Sequence, residues 1–247
     1  MDAETAQSQR LYQKVAASYE DIFERAILAE GLLTSLVRQH MNGRRVLDLG
    51  CGNGRWLDRF KPAHYVGLDI SDDMLAQARM RYPQASFVSA DMRQLPFGDG
   101  EFDGVMSLFG AMGHLRPEGQ AQAVAEAYRV LSSGGTAIFT NGNLWSPFNM
   151  PRILTGNRFR LMGVWVRVHL ATPRSMRALM RPFRVLHLLS YDYSFLPIAP
   201  VKLGAALAGR DHREAYGAWM DLLDNCRFIP YVRWFGKQLV AVCRKEG

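Results

Sequence analysis

Apolar positions along the 247-residue chain change their period several times, and the changes mark out the elements. Leu11, Tyr12, Val15, Tyr19, Ile22 and Phe23 recur at helical spacing, and Ile27 to Val37 continues the series, so residues 4–40 read as helical up to a stop at Asn42-Gly43. From Arg44 onward short apolar runs alternate with amphipathic ones. RVLDLG, HYVGLDI, ASFVSAD and FDGVMSLF read as strands. Arg55 to Phe60, Ser71 to Tyr82 with Ser71 as N-cap, and Pro117 to Leu131 with proline in the first turn read as helices. Gly134-Gly135 turns the chain into the strand TAIFTN. Strands that are apolar throughout and joined by helices imply a parallel sheet covered on both faces.

The rhythm breaks after Asn141. Residues 142–173 are rich in aromatics, Arg, Asn and Pro, and RFRLMGVWVRVHL suggests a strand pair bending near Met162-Gly163. TPRSMRALMRP reads as a capped helix, FRVLHLLSYDY as a strand, residues 199–227 as mainly helical and KQLVAVCRK as a closing strand. One domain with a long insert before its last helix–strand–strand unit accounts for this order.

Composition adds one thing to this picture, an uneven charge. Residues 1–126 carry 13 basic and 17 acidic residues, whereas 127–247 carry 17 basic and 6 acidic. Between Ala127 and Tyr191 there is no acid and there are nine arginines, which points to an anionic partner or to a solvated basic surface. Cys51, Cys226 and Cys243 are too few and too scattered for a disulfide framework or a zinc cluster, so no metal and a cytoplasmic setting are expected. The polar, acidic start MDAETAQSQR lacks an apolar signal core, and no apolar run reaches the roughly 18 residues of a membrane span.

The candidate chemistry begins at Asp48-Leu49-Gly50-Cys51-Gly52-Asn53-Gly54, a glycine loop between a strand and a helix. It lacks the Lys-Ser/Thr pair of a phosphate-binding P-loop, and Arg55 stands where a dinucleotide loop needs its third glycine. Three glycines at alternate positions leave a bare backbone edge for an extended ligand without phosphates, with Asp48 to answer a cationic group. Asp69 ends the next strand, nineteen residues after Gly50, where an acid can accept both hydroxyls of a ribose. Asp91 and Met92 end the third strand, where a carboxylate and an apolar side chain can meet an adenine. A cationic amino-acid part, a ribose and an adenine describe S-adenosylmethionine better than NAD.

Val46 to Gly54 resembles motif I of the class I S-adenosylmethionine-dependent methyltransferases. Gly67 to Ser71, Ala90-Asp91-Met92 with Leu95-Pro96-Phe97, Phe102 to Val105, and Arg129-Val130-Leu131 before Gly134-Gly135 fall where that family has its other motifs. The chain looks most like the small-molecule, type 11 branch, whose N-terminal lid helix Tyr12, Val15, Ala16 and Tyr19 resemble.

The resemblance implies a Rossmann-like α/β fold. Its sheet would be doubly wound, seven-stranded and mostly parallel, with helices on both faces and the last strand antiparallel. A helical lid (1–43), a cofactor-binding core (44–142), an insert after strand five carrying the substrate region (143–235) and a closing strand (236–247) follow from it. It also implies that Gly50, Gly52 and Gly54 approach the methionine part and ribose, with Asp48 holding the loop or the amine. Asp69 binds the ribose hydroxyls, Ile70 packs on adenine, Asp91 and Met92 read the adenine edge, Leu108 offers its carbonyl to the amine, and Tyr19 of the lid joins the cofactor-binding residues.

Three absences narrow the acceptor. Ser107-Leu108-Phe109-Gly110 is not the Asn/Asp-Pro-Pro-aromatic motif of amino-directed nucleic-acid enzymes. No cysteine stands where cytosine-C5 enzymes keep their nucleophile, and no glutamate pair follows strand four as in protein arginine methyltransferases. A small-molecule acceptor is therefore expected rather than nucleic acid, with room for peripheral membrane contact. Among His114, His169, His187, Tyr191 and Tyr193, His114 is the first candidate for a general base because it follows strand four. Trp145, Arg158, Arg160 and Trp165 are candidates for an apolar, cation-rimmed site for an amphipathic or anionic acceptor. A methyltransferase acting on structured RNA, and a non-catalytic partner that binds S-adenosylmethionine, are the alternatives.

Overall fold

The computed structural model describes residues 3–15, 31–161, 164–192 and 234–247. Tyr19, Tyr193 and the helical stretch expected over 199–227 lie outside the described residues. Helix α1 spans Ala3–Val15 and α2 spans Gly31–Met41. The expected β-α alternation follows, with β1 Arg45–Leu49, β2 His64–Asp69, α3 Asp72–Arg81, β3 Ser86–Ser89, β4 Phe102–Ser107, α4 Pro117–Val130 and β5 Leu131–Gly142. Ser71 caps α3 by accepting from the Met74 N–H at 3.4 Å, which satisfies one of the open donors of its first turn.

Seven strands form one sheet in the order β3-β2-β1-β4-β5-β9-β8, with β8 spanning Arg184–Tyr191 and β9 spanning Gln238–Arg244. β1 to β5 are parallel to their neighbours, and β9 runs antiparallel between β5 and β8. This is the Rossmann-like, mostly parallel sheet that the sequence implies. Its sides are packed by alternate residues of each strand. Leu47, Val105, Ala137 and Phe139 meet α4 and α5 (Pro173–Leu179) through Val124, Ala127 and Met176. Val46, Met106, Ile138 and Val240 meet α2 through Leu33, Val37 and Met41. Each Val, Leu, Ile, Phe or Met among them, sealed from water, contributes about 1.5–3 kcal/mol, so both layers hold the strand ends firmly.

Two elements differ in detail from the sequence reading. The helix expected over Arg55 to Phe60 is a five-residue 3-10 helix, Arg55–Arg59, closed by an i to i+3 bond from the Leu57 N–H to the Gly54 carbonyl. A helix this short brings little dipole to the glycine loop. The strand pair in the insert is present as the antiparallel hairpin β6 Arg158–Leu161 and β7 Val164–Arg167, outside the main sheet. Thr172 caps α5 reciprocally with Ser175.

Candidate active site

The strand order reverses between β1 and β4, and the crevice above their carboxyl ends is the natural ligand site of such a sheet. A cleft opens there. Its walls are the glycine loop after β1, Asp69 and Ile70 after β2, Asp91 and Met92 after β3, and Leu108 and Phe109 after β4. Helix α1 closes it with Ser8 and Tyr12, one helical turn apart and so on one face.

The loop folds back over β2 because the Gly50 and Cys51 N–H groups both donate to the Leu68 carbonyl, at 2.7 and 3.0 Å. Gly50, Gly52 and Gly54 all adopt left-handed backbone angles. At Gly50 a Cβ would come within 2.6 Å of the Ala111 Cβ, so only glycine lets the loops after β1 and β4 approach so closely.

Asp69 ties this loop to α3. One carboxylate oxygen accepts the Gly52 N–H at 2.8 Å and the other accepts the Ser71 N–H at 2.9 Å. Burial pushes its carboxyl up, and the backbone donors partly offset this. A carboxylate has about four lone-pair sites, so backbone donors do not exhaust its capacity to accept. Asp48 is fully buried on β1 and accepts the Tyr65 hydroxyl at 2.9 Å. Burial pushes it up to about 7, against the pull of that hydrogen bond. Asp91 is more committed, because the Arg93 guanidinium grips both of its oxygens at 2.6–3.0 Å and the Arg93 N–H adds a further bond.

His114 lies in the turn Ala111–His114, with Tyr12 Oη 2.9 Å from its Nε2 and Ser8 Oγ 3.2 Å from its Nδ1. Burial, with help from His169, lowers it to about 4, so the ring is neutral at pH 7. One nitrogen then donates and the other accepts, and the two hydroxyls of α1 answer both. Gln9 adds a bond from its side-chain amide to the Ile70 carbonyl at 3.2 Å. Helix α1 is thus fastened to the loops beyond the strand ends by three polar side chains.

Tyr12, Asp48, Gly50, Gly52, Asp69, Ile70, Asp91, Met92, Leu108 and His114 come together around this cleft, while Gly54 stands one step back as the N-cap of the 3-10 helix. Trp145, Arg158 and Trp165 are not among the described residues that line it, and neither are His169, His187 and Tyr191. Of the lining residues that the sequence reading did not place in the site, two stand out. Arg55 is buried, with its guanidinium 4.5 Å from the Phe109 ring centroid and 5.3 Å from that of Trp56. Phe109 holds a left-handed φ of 57°, a strained conformation for an aromatic residue. Arg55 was visible directly after the glycines as a charge in an otherwise apolar helix start. Nothing in the sequence announces the backbone of Phe109.

Known proteins share these features. The family model described as a methyltransferase domain matches residues 46–135. An uncharacterised protein of Methanocaldococcus jannaschii is 33% identical over 147 residues, 59% of this chain and 56% of its own length. A fatty-acid O-methyltransferase of Mycolicibacterium smegmatis is 38% identical over 107 residues, covering 41% of this chain and 38% of its own. The chain thus spans about half, or less, of the length of these curated relatives. The methyltransferase solved in complex with the Haloferax volcanii activator Trm112 superposes with a TM-score of 0.69 at 19% identity, over 97% of both chains. A Thermotoga maritima methyltransferase does so at 0.65 and 16%, over 96% of this chain and 99% of its own, which is a likeness of fold. With five ordered motifs, the reversed strand order and the matched domain in agreement, residues 46–135 carry a methyltransferase domain of the class I, S-adenosylmethionine-dependent kind.

Proposed function

We propose that the protein transfers a methyl group from S-adenosylmethionine to a small amphipathic or anionic acceptor by in-line displacement. The observation that carries the reading is the cleft itself, where the buried Asp69 carboxylate lines the same wall as the bare glycine edge and is held by the Gly52 and Ser71 N–H groups. S-adenosylmethionine supplies a methyl already activated by a sulfonium. The chain has only to position and dehydrate the reactants. Asp69 accepts the ribose hydroxyls, Ile70 and Met92 flank the adenine, and Asp91 shares its Arg93-held carboxylate with the adenine amino group. Asp48, poised near neutrality, answers the cationic amine, and the Leu108 carbonyl adds a second acceptor. The α1 lid excludes water.

His114 fits a positioning role better than a base. A group titrating near 4 is a poor proton acceptor at pH 7, and both ring nitrogens are engaged by the lid. An acceptor that is already anionic needs no base. Relatives point the same way: one is named a fatty-acid O-methyltransferase and another a malonyl-[acyl-carrier protein] O-methyltransferase from Erwinia billingiae. The acid-free, arginine-rich stretch that holds Arg158 and Arg160, with Trp145 and Trp165, supports an anionic acceptor approaching from the insert side.

Two measurements test this. Asp69→Ala should weaken S-adenosylhomocysteine binding about a hundredfold, the loss of two charge-assisted hydrogen bonds, as read by calorimetry. Unchanged affinity removes the cofactor assignment. Labelled S-adenosylmethionine offered with long-chain acids, acyl thioester acids, quinols and RNA should label the first two classes. Label passing to RNA alone replaces the acceptor assignment, and binding without any turnover leaves a non-catalytic partner.

A further inference from the structure

Helix α1 turns three of its sides to three different parts of the molecule. Successive residues of a helix are rotated by about 100°, so Gln7, Ser8 and Gln9 point in three directions, and Leu11 and Tyr12 repeat the first two one turn on. Gln9 reaches the Ile70 carbonyl at 3.2 Å, on the β2 side of the cleft. Ser8 and Tyr12 reach His114 at 3.2 and 2.9 Å and line the cleft. Gln7 does not line the cleft. It donates its side-chain amide to the Trp165 carbonyl of β7, and Leu11, one turn on, is buried.

The hairpin depends on that contact. Among the described residues β6 and β7 pair only with each other and join neither edge of the main sheet. A two-stranded hairpin is at best marginally stable on its own in water. Among the described elements this one packs on α1, through β7, and on the 3-10 helix Met150–Thr155, through β6. Val166 of β7 is buried, beside the Trp165 whose carbonyl meets Gln7. The chain leaving β7 is held at two more points. The Val168 N–H donates to the Asn157 carbonyl at 3.0 Å and closes the open end of the hairpin. The His169 N–H donates to the Gly113 carbonyl at 2.7 Å and ties the exit to the turn that carries His114.

We propose that α1 is one strap shared by the cleft and the hairpin, and that Gln7 is the positioning residue that joins them. A ligand in the cleft is closed in by Ser8 and Tyr12, so α1 cannot lift while the ligand stays. The hairpin takes its order from α1 and cannot open either. Ligand entry therefore fixes β6 and β7, and the positions of Arg158 and Trp165 with them. The acceptor side is completed only once the cofactor is seated, which sets the order of binding as cofactor first and acceptor second. The order rests on the cofactor and acceptor of the proposed function. The linkage of α1 to the hairpin holds for any ligand that fills the cleft.

Residue-resolved hydrogen exchange of the full chain, with and without S-adenosylhomocysteine, tests the linkage. The Val168 amide reports opening of the hairpin, and neither it nor its partner Asn157 lines the cleft. Its exchange should slow as the ligand saturates, by about tenfold or more at about a hundred times the dissociation constant, because opening must wait for release. Gln7→Glu keeps the shape of the side chain and removes its N–H donor. In that variant the Val168 amide should exchange at its ligand-free rate even at saturation. The Gly52 amide, bonded to Asp69 in the cleft, should keep its protection, and the melting temperature should stay at the wild-type value. Exchange at Val168 that ignores the ligand in the wild type, while Gly52 is protected, overturns the linkage and leaves the cofactor assignment standing. Protection of Val168 that Gln7→Glu leaves intact overturns it as well. A ligand that slows neither amide removes the cofactor assignment and the binding order together.

Discussion

The cleft and the 143–167 segment break the ordinary rule of burial in opposite directions. The cleft buries Asp48 and Arg55, charged groups that a stable core excludes, whereas the segment exposes Leu154, Trp165 and Phe148 and hides asparagines. Each inversion costs stability, and each is held by a local device. In the cleft a tyrosine hydroxyl and two aromatic rings accompany the buried charges. In the insert the carbonyls of residues 143 and 234–237 accept from the buried amides. Strain kept by such devices is the mark of a surface shaped for something other than folding. Buried charge suits a small ligand with charges of its own, and exposed apolar surface suits an extended partner.

The widest effect expected is on stability as pH varies, and it belongs to the cleft alone. Asp48 titrates near 7 in the folded chain against 3.8 ordinarily. The native state therefore holds a proton that the unfolded state has lost, and stability falls as pH rises from about 4 to 7, by up to about 4 kcal/mol. The raised carboxyl of Asp69 acts in the same direction. His114 has the opposite sign. Its folded value near 4 lies below its ordinary 6.5, so stability falls as pH drops from 6.5 to 4. The two slopes oppose each other in the wild type. Asp48→Asn should keep the Tyr65 bond and unmask a rising slope between pH 4 and 6.5, and His114→Gln should steepen the falling one. Chemical denaturation at several pH values checks both, and parallel curves for all three proteins would show that neither group is held out of water as described.

The fold was legible because its signals are local. The glycine loop of residues 50–54, the cap at Ser71 and the alternation of apolar strands each need only a few neighbouring residues. The strand pair at 158–167 and the cap at Thr172 were readable for the same reason. The gathering of the expected residues around one cleft was legible too, since strand ends of a parallel sheet converge on one edge. Arg93 closing on Asp91 was not, because any arginine two residues from an acid reads as solvated until the side-chain geometry is known. The outward turn of Trp145 and Phe148 was equally hidden. It depends on Asn143 meeting carbonyls some ninety residues away, and hydrophobicity alone assigns those aromatics to a pocket.

A smaller effect sharpens the boundary between the two regions. Tyr12→Phe removes the hydroxyl that meets His114 Nε2 and leaves the ring, with its edge contact to the imidazole, in place. One hydrogen bond of this kind is worth about 1 kcal/mol, so S-adenosylhomocysteine should bind about fivefold more weakly. The loss should come through faster dissociation, because the lid opens more often. Stopped-flow release rates decide this. An unchanged rate would mean that α1 is held by Gln9 and its apolar face, and that the imidazole matters little to the lid.

The smallest effect is also the one that separates two uses of the insert. Arg158→Glu and Arg167→Glu reverse charge at paired hairpin positions. Surface charges contribute about 0.2–1 kcal/mol each, so the double change should raise the KM of an anionic acceptor by roughly three- to tenfold. S-adenosylhomocysteine affinity should not move, since neither residue lines the cleft. The form in which the acceptor is presented then carries the information. If the arginines bind the acceptor itself, KM rises equally for a short, water-soluble acid and for a long-chain acid in vesicles. If they hold the protein to the bilayer, only the vesicle-borne acceptor loses, and added salt reproduces the loss in the wild type. Equal KM values for both acceptors in wild type and variant would return this basic face to the solvated surface that its charge alone could also describe.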